Sequence, residues 1–76
     1  MTERKLIEEI QDALNAMKTG FRDLQKINTK SGNLKAANAA YGLRGELIVF
    51  HARATVLLNE HFPEFADEIQ TRGPGR

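Results

Sequence analysis

Six apolar residues near the N-terminus, Ile7, Ile10, Leu14, Met17, Phe21 and Leu24, recur at alternating spacings of three and four. That period is an a/d heptad over almost three repeats, and it predicts an amphipathic helix over about residues 3–27. Leu6, Ala13 and Ile27 lie beside the stripe and widen it toward the face of a globular bundle. Gly20 costs about 1 kcal/mol relative to Ala inside a helix, and its place in the pattern reads as a close helix crossing.

The next run, Asn28-Thr29-Lys30-Ser31-Gly32-Asn33, is all turn and cap chemistry, so a turn is expected over 28–33. Ser31 or Asn33 can accept from the free N–H groups that open a second helix. A loop of about six residues between helices makes an antiparallel hairpin. The second helix is expected over about residues 34–61. Its stripe is Ala36, Ala40, Leu43, Leu47, Phe50, Ala54 and Leu57, with a second row of Tyr41, Ile48 and Phe62 broken by Thr55. Val49 and Val56 add a third direction, so from Leu47 to Leu58 the helix is apolar nearly all round. Such a helix needs cover on more than one side. Ala36, Ala37, Ala39, Ala40, Gly42 and Gly45 permit close backbone approach, and the two glycines imply either a packing need or flexibility.

Pro63 starts a short third helix, over about 63–71, with Glu64, Asp67 and Glu68 near its positive N-terminus. Phe62, Phe65 and Ile69 fold it back onto the hairpin. Residues 73–76 are expected to be a flexible tail. The fold class is therefore all-α: a single domain over 1–72, built as an antiparallel hairpin of two long helices plus a short C-terminal helix.

Seventy-six residues without a cysteine have no disulfide or thiolate zinc site to staple them. A chain this short buries only roughly 60% of its unfolded surface and is marginal alone. Two hairpins closing into a four-helix bundle, or a larger helical oligomer, would cover the wide apolar arc of the second helix. A homo-oligomer is therefore expected, a dimer above all, with Tyr41, Leu43, Leu47, Ile48, Phe50, Leu58 and Phe62 at its interface. The competing reading is a three-helix monomer, in which a third helix of about eight residues covers too little. The absence of cysteine fits a reducing cytoplasm. The N-terminal stretch carries acids where a secretory signal would be apolar. The apolar run Leu47–Leu58 holds His51 and Arg53 and falls short of the about 20 residues that span a membrane.

Charge is uneven. Residues 1–17 sum to −2, residues 18–53 to +5 and residues 54–76 to −2. Lys18, Arg22, Lys26 and Lys30 follow one another every four residues, a basic ridge climbing toward the turn, with Lys35 just past it. With Ser31, Gly32 and the N–H groups of the second helix, this ridge is a candidate for a phosphate or carboxylate; the plainer reading is that cations at a helix C-terminus complement its dipole. Arg44 and His51 lie seven apart, inside the apolar arc. A partly buried Arg needs an acceptor: Glu46 or Asp23 of another copy, or an anionic ligand in a pocket shared with Tyr41.

Glu60, His61 and Glu64 resemble metal ligands only in spacing, and Pro63 breaks the helix between them, so no metal is expected. No nucleophile has a base at readable spacing, so neither an enzyme nor a cofactor is expected. The leading functional expectation is a small non-enzymatic helical interaction protein (adaptor, inhibitor or assembly factor) that docks on a protein partner. The alternative is an anion-binding module for nucleic acid or a phosphorylated small molecule. Against nucleic acid stand a pI near 8.1 and few aromatics beside the ridge.

Overall fold

The computed structural model describes residues 2–73. Helix α1 spans Glu3–Ser31 and α2 spans Leu34–His61; a 3-10 turn over Pro63–Phe65 then leads into α3, Ala66–Thr71. A two-residue connection, and contact between Gln11 and His51 forty positions apart, make α1 and α2 an antiparallel hairpin. The result is a rod of 47 × 21 × 18 Å. Among the described residues no helix is long and apolar enough to cross a membrane.

Thr2 caps α1 by accepting from the Lys5 N–H at 3.2 Å. The helix runs past Asn28, which corrects the expected six-residue turn. Asn28 donates from its side chain to the Leu24 carbonyl at 2.8 Å, and Thr29 to the Gln25 carbonyl at 2.8 Å. Their polar groups are satisfied back along the helix rather than breaking it. Gly32 ends α1 at φ 83°, in the left-handed region that glycine enters without a Cβ penalty. The Asn33 N–H reaches the Asn28 carbonyl at 2.9 Å and the Gly32 N–H reaches Thr29 at 3.2 Å, a Schellman closure. Asn33 then caps α2 by accepting from the Ala36 N–H at 3.3 Å.

The seam between the helices differs from the apolar stripes. On α1 it follows Ile7, Gln11, Leu14, Lys18, Phe21 and Gln25, all buried or half-buried. On α2 it follows Ala37, Ala40, Arg44, Leu47, His51, Ala54 and Leu58. Ile10, Met17 and Leu24, on the same expected apolar stripe as Ile7 and Leu14, are 47, 49 and 50% exposed. Leu43, Phe50 and Leu57 are likewise 48, 51 and 48% exposed. The physical reason is width. An apolar arc of about 120° has two edges, and one partner helix covers one of them.

Among the described residues, Gly20, Gly42 and Gly45 meet no atom within 4 Å of a Cβ placed on them, so no close crossing there explains them. Helix α3 buries Ile69 completely and is clamped to α1. Arg72 pairs with Asp12 and, at 3.9 Å, with Glu8; Asn15 donates to the Arg72 carbonyl at 3.0 Å. Arg4 reaches Glu68 at 3.3 Å and lies 5.3 Å from the centre of the Phe65 ring, which stacks on Phe62. Gly73, expected in the tail, is buried, and its N–H donates to the Gln70 carbonyl at 3.3 Å; residues 74–76 lie outside the described residues.

Candidate interaction surface

Helix α1 advances 100° per residue, so positions seven apart return to nearly the same direction. Ile10, Met17 and Leu24 therefore form one row, and Leu43, Phe50 and Leu57 form another on α2. The hairpin brings the rows together on one side of the rod. A shallow groove sets Ile10 against Phe50 and Leu57, with Phe62 at its end. A second sets Phe21 and Leu24 against Ala36 and Leu43. Leu6 and Ile27, 44 and 64% exposed, flank this face on α1 with Ala13 and Gly20 between them. The outcome is one continuous apolar face, broken by no charged side chain along either row.

The structure divides the expected interface set. Leu43, Phe50 and Phe62 border this face. Leu47 and Leu58 are half-buried in the hairpin seam. Tyr41 and Ile48, 62 and 37% exposed, sit on the other flank of α2. Ile10, Met17 and Leu24, which lay on the expected α1 stripe but outside the expected interface set, complete the face.

The seam itself is polar in its middle. His51 and Gln11 are fully buried and bonded to each other; with Gln11 presenting Oε1, His51 donates from Nε2. The His51 carbonyl accepts from the Thr55 hydroxyl at 2.9 Å. His51 Nδ1 and Gln11 Nε2 have no partner among the described residues. Burial, and then the nearby charge of Lys18, hold the imidazole pKa below its ordinary value. Burial, and then Arg44 across the seam, lower that of Lys18. Arg44 keeps its Nε buried and unbonded among the described residues. Neither Lys18 nor Arg44 makes an ion pair among those residues. Two like charges thus share one part of the seam.

The basic ridge is likewise divided. Lys18 turns into the seam, whereas Arg22, Lys26 and Lys30 are exposed and border an open groove with Gln25 and Thr29. Arg22 pairs with its neighbour Asp23 at 3.5 Å. Lys35 is exposed in the first turn of α2. Ser31 donates its hydroxyl to the Asn28 carbonyl at 3.2 Å. The Leu34, Ala36 and Ala37 N–H groups are taken by Gly32 and Asn33. The α2 N-terminus therefore spends most of its free donors on its own cap. Sequence reasoning missed Gln11 as the partner of His51, and the signal was present: Gln11, Lys18 and Gln25 form a polar row seven apart, matched by Arg44 and His51 on α2. Among the described residues no three His, Asp or Glu side chains gather where a metal ion could be held. No protein-family model, curated protein or solved structure matches this chain significantly.

Proposed function

We propose that this protein is a non-enzymatic interaction protein that acts as a homodimer, two hairpins closing over their apolar faces into a four-helix bundle. The observation that carries the reading is the continuous face formed by Ile10, Met17, Leu24, Leu43, Phe50 and Leu57, each about half exposed. Surface area supports it. A folded monomer of 8.5 kDa exposes about 4,650 Å², whereas this chain exposes 5375 Å², about 700 Å² more. A standard interface removes about 800 Å² from each partner. The radius of gyration, 14.6 Å against about 11 Å for a compact chain of this length, marks the same deficit of thickness. Adaptor, inhibitor and assembly-factor roles all use such a bundle as a rigid docking body. Native mass spectrometry tests the assembly: twice 8.5 kDa at micromolar concentration is expected. A chain that stays monomeric to 100 µM, roughly the range of weak specific association, refutes it.

A second reading, an anion-binding module, has its own observation. Lys18 and Arg44 lack an acid partner among the described residues, and Arg22, Lys26 and Lys30 line one groove nearer the loop. Its test is titration with pyrophosphate and with a labelled oligonucleotide. Changing Lys18, Arg22 and Lys26 to Glu abolishes binding if the reading holds, and affinity falls with salt. Absence of saturable binding by the parent protein refutes it.

A further inference from the structure

The hairpin converts an uneven sequence into a charged rod. Gln11 lies level with His51 and Lys18 with Arg44, and the helices span Glu3–Ser31 and Leu34–His61. The rod's midpoint therefore falls near residue 17 on α1 and residue 47 on α2. The loop half, residues 17–47, holds Lys18, Arg22, Lys26, Lys30, Lys35 and Arg44 against Asp23 and Glu46, a net of +4. The open half, residues 2–16 and 48–73, holds Arg4, Lys5, Arg53 and Arg72 against eight acids, a net of −4. The chain is thus a rod 47 Å long with opposite charges at its two ends and an apolar face along one side.

Resting on the homodimer reading, we infer that the occupant of the apolar face is a second copy lying antiparallel, with the basic loop half of each chain over the acidic open half of the other. A two-fold interface is self-complementary, and only two orientations place these faces together. An axis along the rod sets both loop halves side by side and opposes +4 to +4. An axis across the rod reverses one copy and pairs +4 with −4 at both ends. Complementary potentials of this kind fix register and suppress the wrong arrangement.

The side chains agree with the reversal. In the antiparallel arrangement α1 faces α1 and α2 faces α2, so each row must match itself read backwards. The α2 row, Ala36-Leu43-Phe50-Leu57, has its centre between Leu43 and Phe50, near the midpoint of the rod, which places Leu43 on Phe50 and the large Leu57 on the small Ala36. The α1 row is Ile10-Met17-Leu24, which places Ile10 on Leu24 and Met17 on Met17. The flanking row, Leu6-Ala13-Gly20-Ile27, is large at both ends and small in the middle. It sets Ala13 against Gly20, letting the two α1 backbones approach closely. That supplies a partner for Gly20, which has open space around it among the described residues.

The chain has no cysteine, so a single Ser31→Cys change gives one unique spin-label site at the loop end. The distance between labels in the dimer decides the orientation. Antiparallel packing places them roughly 40 Å apart, at 1.5 Å rise per residue from the rod's midpoint. Parallel packing places them roughly 20 Å apart, two helix diameters. Thr29→Cys, also exposed at the loop end, guards against a local effect of the first label. Salt gives a second sign: from 50 to 500 mM NaCl the antiparallel dimer weakens severalfold as the ends are screened, and a parallel one tightens. A dimer with the short distance overturns the orientation and leaves the homodimer standing. A monomer throughout overturns both.

Discussion

Truncating Phe50 tests the apolar face most directly. Its side chain is 51% exposed in the single chain. A Phe buries 150–250 Å² when fully covered, so on the order of 100 Å² remains for a partner to remove. At about 25 cal/mol per Å², Phe50→Ala forfeits about 2 kcal/mol of association per copy. Two-fold symmetry repeats the loss, giving about 4 kcal/mol per dimer, or close to a thousandfold in Kd. The half of Phe50 already covered, against Ile10 and Leu57, contributes to folding of the hairpin, so the readout must be association rather than melting temperature. Sedimentation equilibrium over a concentration series isolates it. Val49 is the control: it is 66% exposed and equally apolar, but it points away from the rows. Val49→Ala should leave Kd within about twofold, a few tenths of a kcal/mol. If Phe50→Ala also stays within about threefold, or if the two truncations weaken association alike, the face is not an interface and the argument from spacing fails.

Three other measurements probe the seam and the helices. Since His51 has its pKa lowered from 6.5 by burial and then by Lys18, the unfolded chain takes up a proton before the folded one does, so stability is full above 6.5 and drains as the pH falls below it. Urea midpoints between pH 8 and 5 should show that arm, and His51→Gln should flatten it; an identical profile in the variant shows that other groups set it. Gly42→Ala and Gly45→Ala should each stabilise by about 1 kcal/mol, because both sit mid-helix facing open space, whereas Gly32→Ala should cost about 1–2 kcal/mol at its φ of 83°. Lys18→Met and Arg44→Met should each stabilise by about 0.5 kcal/mol, and the double change by less than the sum, since one repulsion is relieved once; strictly additive gains would show that the two charges do not feel each other.

The period of each helix is readable in the sequence, but the edge on which the helices meet is not. Six apolar residues at threes and fours fix α1 as a helix and α2 as its neighbour, and Pro63 marks the break before the third element. The choice of edge is made between segments some forty residues apart, where Gln11 meets His51 and the small side chains Ala37, Ala40 and Ala54 let α2 close on α1. A local stripe carries no record of that pairing. The polar rows do carry a trace of it, because Gln11, Lys18 and Gln25 have a counterpart of the same spacing in Arg44 and His51. The turn is ambiguous for another reason. Asn28, Thr29 and Ser31 satisfy themselves equally well in a turn or back along a helix, so composition alone does not place the end, and Gly32 decides it. The Arg72 clamp onto Glu8 and Asp12 joins residues about sixty apart, with no local pattern to announce it.

The mismatch between stripe and seam is itself informative about assembly. In α1 the rows run in angular order from Gln11-Lys18-Gln25, through Ile7-Leu14-Phe21 and Ile10-Met17-Leu24, to Leu6-Ala13-Gly20-Ile27. The first row faces α2 and the last faces open space, so the centre of the apolar arc lies between the middle two. A hairpin alone wants that centre in its seam, and here the seam sits off to one side. A four-helix bundle makes a different demand. Each helix points the centre of its arc at the bundle axis and gives one flank to each of two neighbours. The α2 rows have the same order: Ala37-Arg44-His51-Leu58 toward α1, then Ala40-Leu47-Ala54, then Leu43-Phe50-Leu57 toward the open face. The stripe that is strongest in the sequence therefore fits the axis of a two-chain bundle better than the seam of one chain. The buried His51–Gln11 pair gains a role in the same picture. Turning α1 to bring Met17 into the seam would hide more apolar surface inside one chain, but it would strand the buried His51 imidazole without Gln11, at about 1–3 kcal/mol. The polar pair holds the hairpin in the orientation that leaves the apolar rows outward, available to a second copy.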